Sequence, residues 1–405
     1  MFTYIDNEKS ARIKVIGVGG AGGNAINNMI RSGLQGVKFI AANTDAQALE
    51  ISQAEVRIQL GESITEGLGA GANPQIGRDA ALENAEQIRN VLRESHMVFI
   101  TAGLGGGTGT GATPVIAEIC RELGALTVAV VTKPFSFEGR KRAQIAEQGL
   151  AELKKVVDTA ITIPNDRLRA LASKKATLME MFLKADEILL HAVKGITDLI
   201  MMPGLVNLDF ADVRTTMSKA GMALMGIGIA AGENRAVEAA EKAISHPLLE
   251  DISIRGARGV LMNITASSSM EFEEVAEASE RIHKEVGDEA EIFWGTSVDE
   301  SLGEEMRVTV IATGIGAEAE EPREKGRAEE KRLPRVVAAA PRGKVRDITP
   351  ADMERRDIVD LDEPTFLRQR RAACEGEGAS CRGWGRPGFD ENDLDVPTFL
   401  RRKAD

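Results

Sequence analysis

Two glycine-rich stretches in this chain can do chemistry. GLGGGTGTGATP, Gly103–Pro114, puts six glycines and three threonines into twelve residues. Such a loop, following a strand and entering a helix, presents backbone N–H groups and the positive end of the helix dipole, which together attract phosphate. The Thr108 and Thr110 hydroxyls add hydrogen bonds without charge. GVGGAGGN, Gly17–Asn24, is a second turn of this kind. Taken alone, its Gly17-x-Gly19-x-x-Gly22 spacing fits a dinucleotide fingerprint with Asp45 on a ribose, and equally a tight turn that packs a helix on a sheet. Two such loops at the carboxyl ends of two strands point to one long polyphosphate. No GxxxxGK[ST] is present, which excludes an ordinary P-loop with its lysine. LGAGANP, Leu68–Pro74, reads as further backbone donors, through Gly71 and Ala72, or as a plain surface loop.

Each loop needs a strand before it and a helix behind it. RIKVIGV (12–18), VKFIAANT (37–44), HMVFITAG (96–103), ALTVAVVTKPF and TAITIPND read as buried strands, and NAINNMI as the start of a helix. Their alternation predicts an α/β fold with a Rossmann-like parallel sheet. Residues 178–202 are apolar at helical spacing and run up to Pro203-Gly204, which predicts a long central helix. Beyond it ALMGIGIA, RGVLMNITA, AEIFWGTSV and EMRVTVIATG read as strands, and AVEAAEKAIS and FEEVAEASERIHKEV as helices, a smaller α+β domain. The expected organisation is a nucleotide-binding domain at 1–177, the central helix and its connecting loop at 178–206, the α+β domain at 207–316, a disordered linker at 317–358 and a tail at 359–405. The linker is rich in Glu and Arg and has no aromatic residue with which to build a core.

Fifty Lys and Arg against 62 Asp and Glu give a net charge of −12, so no general attraction to nucleic acid or anionic lipid is expected. Three scattered cysteines, Cys120, Cys374 and Cys381, make no disulfide framework, and no histidine stands near the last two to complete a metal site. No secretory signal and no spanning apolar run is read, so a cytoplasmic protein without membrane insertion is expected. In the tail, DLDEPTFLR (Asp360–Arg368) recurs as DLDVPTFLR (Asp393–Arg401). A short apolar and basic element repeated in otherwise unstructured sequence reads as a partner-binding peptide, against a duplication without function.

GGGTGTG at 105–111 resembles the phosphate-binding motif of the tubulin/FtsZ GTPase family. GGAGGN, NTDAQAL (43–49), PFSFEGRKR (134–142), PNDRL (164–168) and NLDFADVRT (207–215) follow that family's order and spacing. The resemblance covers about residues 10–316 and the end of the tail. It implies a tubulin-like GTPase that binds GTP and GDP with Mg²⁺. Gly20, Ala21, Gly22, Gly23 and Asn24 would meet the phosphates with Gly107, Thr108 and Gly109. Asn43, Asp45, Gly71 and Ala72 join the nucleotide-binding set. Glu138 and Arg142 match the ribose and phosphate contacts, and Asn165, Phe182 and Asp186 the guanine contacts. Phe182 and Asp186, four apart on a helix, share a face, so a ring can stack on the purine while a carboxylate accepts its N–H groups. The plainer readings are a core aromatic and a solvated acid beside Lys184.

Asn207, Asp209 and Asp212 cluster at a helix start, where capping is the plain reading. The resemblance implies instead that this segment enters the nucleotide pocket of a neighbouring subunit and supplies the catalytic acids. It further implies head-to-tail filaments that build the division ring at mid-cell, and membrane tethers such as FtsA or ZipA bound by the two tail peptides. Two other functions stay open on residues alone. A nicotinamide-dependent oxidoreductase would use only the first glycine loop, and a GTP-binding scaffold would hardly hydrolyse its nucleotide.

Overall fold

The computed structural model describes residues 11–171, 175–202, 206, 208–218, 221–249, 254, 256–287 and 290–315. Asn207, Pro203-Gly204, the expected linker, both tail peptides, Cys374 and Cys381 lie outside the described residues.

The first half runs β1 (Ile13–Val18), α1 (Gly19–Arg31), β2 (Val37–Asn43), α2 (Ala46–Glu50), β3 (Val56–Gln59), α3 (Glu62–Thr65), α4 (Pro74–Glu83), α5 (Ala85–Leu92), β4 (Met97–Gly103), α6 (Thr108–Glu122), β5 (Leu126–Lys133), α7 (Arg140–Leu153), β6 (Thr159–Pro164) and α8 (Asn165–Leu168). There follow α9 (Leu178–Met201), α10 (Phe210–Met217), β7 (Gly221–Ala231), α11 (Arg235–Ile244), β8 (Gly259–Ala266), α12 (Phe272–Val286), β9 (Glu291–Val298) and β10 (Glu305–Ile315). These strands form one sheet in the order β3-β2-β1-β4-β5-β6-β7-β10-β8-β9. It is parallel from β3 to β7, and β10 runs antiparallel between β7 and β8. The later strands therefore extend the first sheet, but through a narrow join: β6 and β7 pair over only Thr159–Ile161 and Gly221–Ala223.

Period-2 alternation explains why the central strands are apolar throughout. In β4, Met97 and Phe99 enter the core beneath α1 and α9, while Val98 and Ile100 enter the opposite core beneath α4, α5 and α6. A third core lies between α11, α12 and β7, β8 and β10. Helix α9 is started by a capping box, Thr177 with Glu180. It buries Ala185, Ile188, Leu189, Ala192, Val193, Ile196 and Leu199 at i, i+3 and i+4 spacing, and it packs on β5 as well as on β8 and β9. Arg235, 7% exposed, ties α11 to α12 through two bonds to Glu274, at 2.6 and 2.9 Å.

Two features differ from the sequence reading. Helix α1 begins at Gly19, so the first glycine turn is itself the first turn of the helix. Strand β3 is only VRIQ, a four-residue edge strand that alternates apolar and polar residues and is absent from the strands read from sequence.

Glycines at the start of α6 serve packing as well as any ligand. A Cβ on Gly111 would lie 1.9 Å from the Pro74 carbonyl oxygen and 2.7 Å from the Arg78 nitrogen, both rigid backbone of α4. Helix propensity favours alanine by about 1 kcal/mol, but prying α4 from α6 costs about 3 kcal/mol. Gly111→Ala is therefore expected to lose about 2 kcal/mol in denaturant unfolding; a stability equal to wild type would contradict this packing.

Candidate functional site

The strand order reverses between β1 and β4: from β1 the chain steps one way to β2, and the later strands build the other way from β4. A crevice opens at the carboxyl ends of strands at such a switch point. Helices α1 and α6 begin there, directly after β1 and after the Gly103–Gly107 turn. A Cβ on Gly19 would lie 3.1 Å from the Gly109 nitrogen, so the two helix starts touch. Neither helix has a side-chain cap bond or an acid in its first turn. Their leading N–H groups and positive dipole ends therefore converge on the same space.

That space is a cleft of about 260 Å³. It gathers Gly20 and Ala21 from α1, Gly107, Thr108 and Gly109 from the second glycine loop, and Glu138 and Arg142 around the start of α7. Asn165 from α8 and Phe182 and Asp186 from α9 complete it. Among the described residues Arg142 is the one cation lining the cleft, and it pairs with Glu138 at 2.7 Å. The other Glu138 oxygen accepts from the Phe135 nitrogen at 2.8 Å. The attraction for an anion therefore comes chiefly from backbone dipoles.

The far end of the cleft suits a flat polar ring. Phe182 is 42% exposed, and its edge contact is Phe135, at 5.5 Å between centroids and 84°. It is thus not the core aromatic that its helix suggests. Asn165 is 5% exposed and its Oδ1 has no hydrogen-bond partner. Lys184 pairs with Glu187 at 2.6 Å, so it does not make Asp186 part of a solvated ion pair. Burial pushes the Asp186 carboxyl up to about 7, with the Arg31 charge opposing. An unpartnered buried acceptor and a desolvated carboxylate beside an open aromatic face are what paired N–H donors on a purine would satisfy.

Other residues of the expected set stand apart. Gly23, Asn24 and Asn43 line a second cavity, of about 210 Å³, which shares Gly19 and Gly20 with the cleft. Gly22 is buried, and a Cβ there would lie 2.5 Å from the Thr101 carbonyl oxygen, so its small size is required by packing against β4. Asp45 caps α2, accepting from Gln47 and Ala48 nitrogens at 2.9 and 3.2 Å. Gly71 and Ala72 are exposed with φ of +56° and +59°, in a loop whose Ala70 and Asn73 abut Gly107. Thr110 accepts from the Gly105 nitrogen at 2.8 Å and so braces the loop. Thr44, part of the NTDAQAL stretch but not of the expected site set, is fully buried and bonds the Thr108 hydroxyl at 2.6 Å.

The acids lie elsewhere. Asp209 caps α10, accepting from the Asp212 nitrogen at 2.9 Å. Phe210 approaches His96, at 6.1 Å between ring centroids, and the Arg214 guanidinium reaches the Gly124 carbonyl at 3.4 Å. Thr159 donates to the Met217 carbonyl. His96, Gly124 and Thr159 stand at the amino ends of β4, β5 and β6, so α10 occupies the edge of the sheet opposite to the cleft. A seven-residue strand such as β4 spans roughly 20 Å.

A model of the Tubulin/FtsZ family GTPase domain matches residues 12–173, and one of the FtsZ family C-terminal domain matches residues 221–316. The chain is 50% identical over 406 residues to the cell division protein FtsZ of Pseudomonas putida, covering 100% of both. It is 48% identical over 409 residues to that of Pseudomonas aeruginosa, again covering 100% of both. Among solved structures, the empty FtsZ dimer of M. jannaschii matches with a TM-score of 0.73 and 45% identity, covering 76% of this chain and 89% of that one. CetZ2 from Haloferax volcanii shares the fold at 20% identity, with a TM-score of 0.66, over 76% of this chain and 94% of that one.

Proposed function

This chain belongs to the FtsZ branch of the tubulin/FtsZ family of GTPases, and from that premise we propose that its active site is completed between two copies of the chain, joined head to tail. The protein is a GTPase of the cell-division cytoskeleton. The observation that carries the proposal is the placement of Asp209 and Asp212 on the edge of the sheet opposite to the cleft. No side-chain motion bridges roughly 20 Å, so a cleft that needs these acids must take them from another molecule.

In this reading the starts of α1 and α6 hold the triphosphate, with Gly20 to Asn24 on one side and Gly107 to Gly109 on the other. Gly71, Ala72, Asn43 and Asp45 flank the nucleotide. Glu138 and Arg142 take the ribose and a phosphate. Asn165 and Asp186 accept from guanine, and Phe182 covers its face. Mg²⁺, when bound, would neutralise charge on the phosphates, and the phosphates with water would supply its ligands. Asp209 and Asp212 of the next copy, with Asn207, orient and deprotonate the attacking water.

A contact between opposite ends of one molecule is heterologous, and where it does not close it makes filaments. Those filaments form the division ring at mid-cell in the cytoplasm. The peptides at 360–368 and 393–401 bind membrane tethers such as FtsA or ZipA, a reading supported by their repeated apolar and basic pattern. The domain division expected at 177, 206, 316 and 358 belongs to the same proposal. Sedimentation with GTP, against GDP as control, tests it: GTP-dependent pelleting is expected, and equal pelleting with both nucleotides would count against it.

A further inference from the structure

Resting on the GTP reading of the cleft, we propose that Thr44 is a positioning residue for the nucleotide phosphates: it sets the direction of the Thr108 hydroxyl and ties three loops to it. The two hydroxyl oxygens are 2.6 Å apart, with Thr44 fully buried and Thr108 9% exposed at the cleft. Each hydroxyl has one hydrogen, and in a pair of this kind only one of the two donates to the other. A phosphate oxygen is an acceptor only. When it lies against Thr108, the Thr108 hydrogen must turn to it, and the Thr44 hydrogen then turns to the Thr108 oxygen. The result is a chain, Thr44 to Thr108 to phosphate, in which each bond polarises the next.

The backbone of Thr44 adds the loop connection. Its carbonyl accepts from the Thr65 hydroxyl at 3.3 Å and from the Gly69 nitrogen at 3.3 Å. One buried residue thus links the turn after β2, the loop from 65 to 73 and the first residue of α6. A threonine at 44 fits this role because its methyl fills the buried space while its hydroxyl makes the bond.

The test is a double-mutant cycle on the full chain, read by calorimetric titration with GTP and with GDP and by thermal unfolding without nucleotide. Thr44→Val keeps the shape and removes the donor. It is expected to weaken GTP binding about three- to tenfold, the range for one hydrogen bond, and to lower the apo melting temperature by a few degrees at most, because the nucleotide-free chain already makes this bond. Thr44→Ser, which restores the hydroxyl, is expected to bind within about twofold of wild type on the same scale. In a Thr108→Val background Thr44→Val should cost nothing further. The proposal is overturned if Thr44→Val weakens binding equally in both backgrounds, or if it leaves affinity intact. Should wild type itself fail to bind GTP, the reading of the cleft falls first.

Discussion

Asp212→Ala is expected to lower GTP turnover by about a hundredfold or more while leaving affinity for GTP within about twofold of wild type. The split follows from where the residue sits. Asp212 lies in the first turn of α10, at the edge of the sheet opposite to the cleft, so removing its carboxylate touches no group that holds the nucleotide in its own subunit. It removes a group that acts on water in the next one. The Asp212 nitrogen still donates to Asp209 after the change, because that bond uses backbone, so α10 keeps its cap. Turnover under saturating GTP and equilibrium binding of GTP check the two halves separately. A variant that binds tenfold more weakly with turnover preserved would place Asp212 in nucleotide binding instead.

Asp186→Asn has an effect of similar size on the other limb of the reaction. The carboxylate can accept from two guanine N–H groups, whereas an amide turns its own N–H₂ toward one of them. The loss expected is about 30- to 100-fold in GTP affinity, from one bond lost and one donor left facing a donor. The pH dependence has a definite sign. The ionised form binds guanine, and burial pushes the carboxyl up to about 7, so wild-type affinity is expected to fall about tenfold from pH 8 to pH 6. Stability of the nucleotide-free protein runs the other way. A folded-state value raised above the ordinary 3.8 contributes stability that is full below 3.8 and is lost as pH rises through about 7. The neutral asparagine avoids that loss, so Asp186→Asn should melt a few degrees above wild type at pH 8 and alike at pH 4. GTP affinity that is flat with pH and unchanged in the variant would contradict the guanine role.

The two variants also complement each other. At a GTP concentration too low for the Asp186→Asn cleft, each alone is nearly inactive. Mixed equally, an intact cleft of the Asp212→Ala chain meets intact acids of the Asp186→Asn chain at about a quarter of random head-to-tail junctions, and turnover should return to about that share. A site completed within one chain gives no such recovery.

Much of this site is legible from sequence because glycine loops and apolar runs report local physics. Two phosphate loops after two strands point to one polyphosphate at the carboxyl ends of those strands, and the long helix read at 178–202 follows from its apolar spacing and from Pro203-Gly204. What escapes depends on contacts between distant segments. Whether Phe182 is core or open, and whether Asp186 faces water, is decided by how α9 packs across β5 and β8, not by residues three or four apart. Thr44 lies within NTDAQAL, but nothing in that stretch assigns its side chain a role; its value comes from a bond to a residue 64 positions away. The opposite placement of α10 and the cleft is a property of topology, since only the sheet shows which strand ends share an edge.

GTP turnover per chain, followed with sedimentation as the protein is diluted through its assembly threshold, bears most directly on the shared active site. Turnover per chain should fall toward zero together with the pelleted fraction. Turnover that stays constant in a solution of dispersed single chains would contradict it.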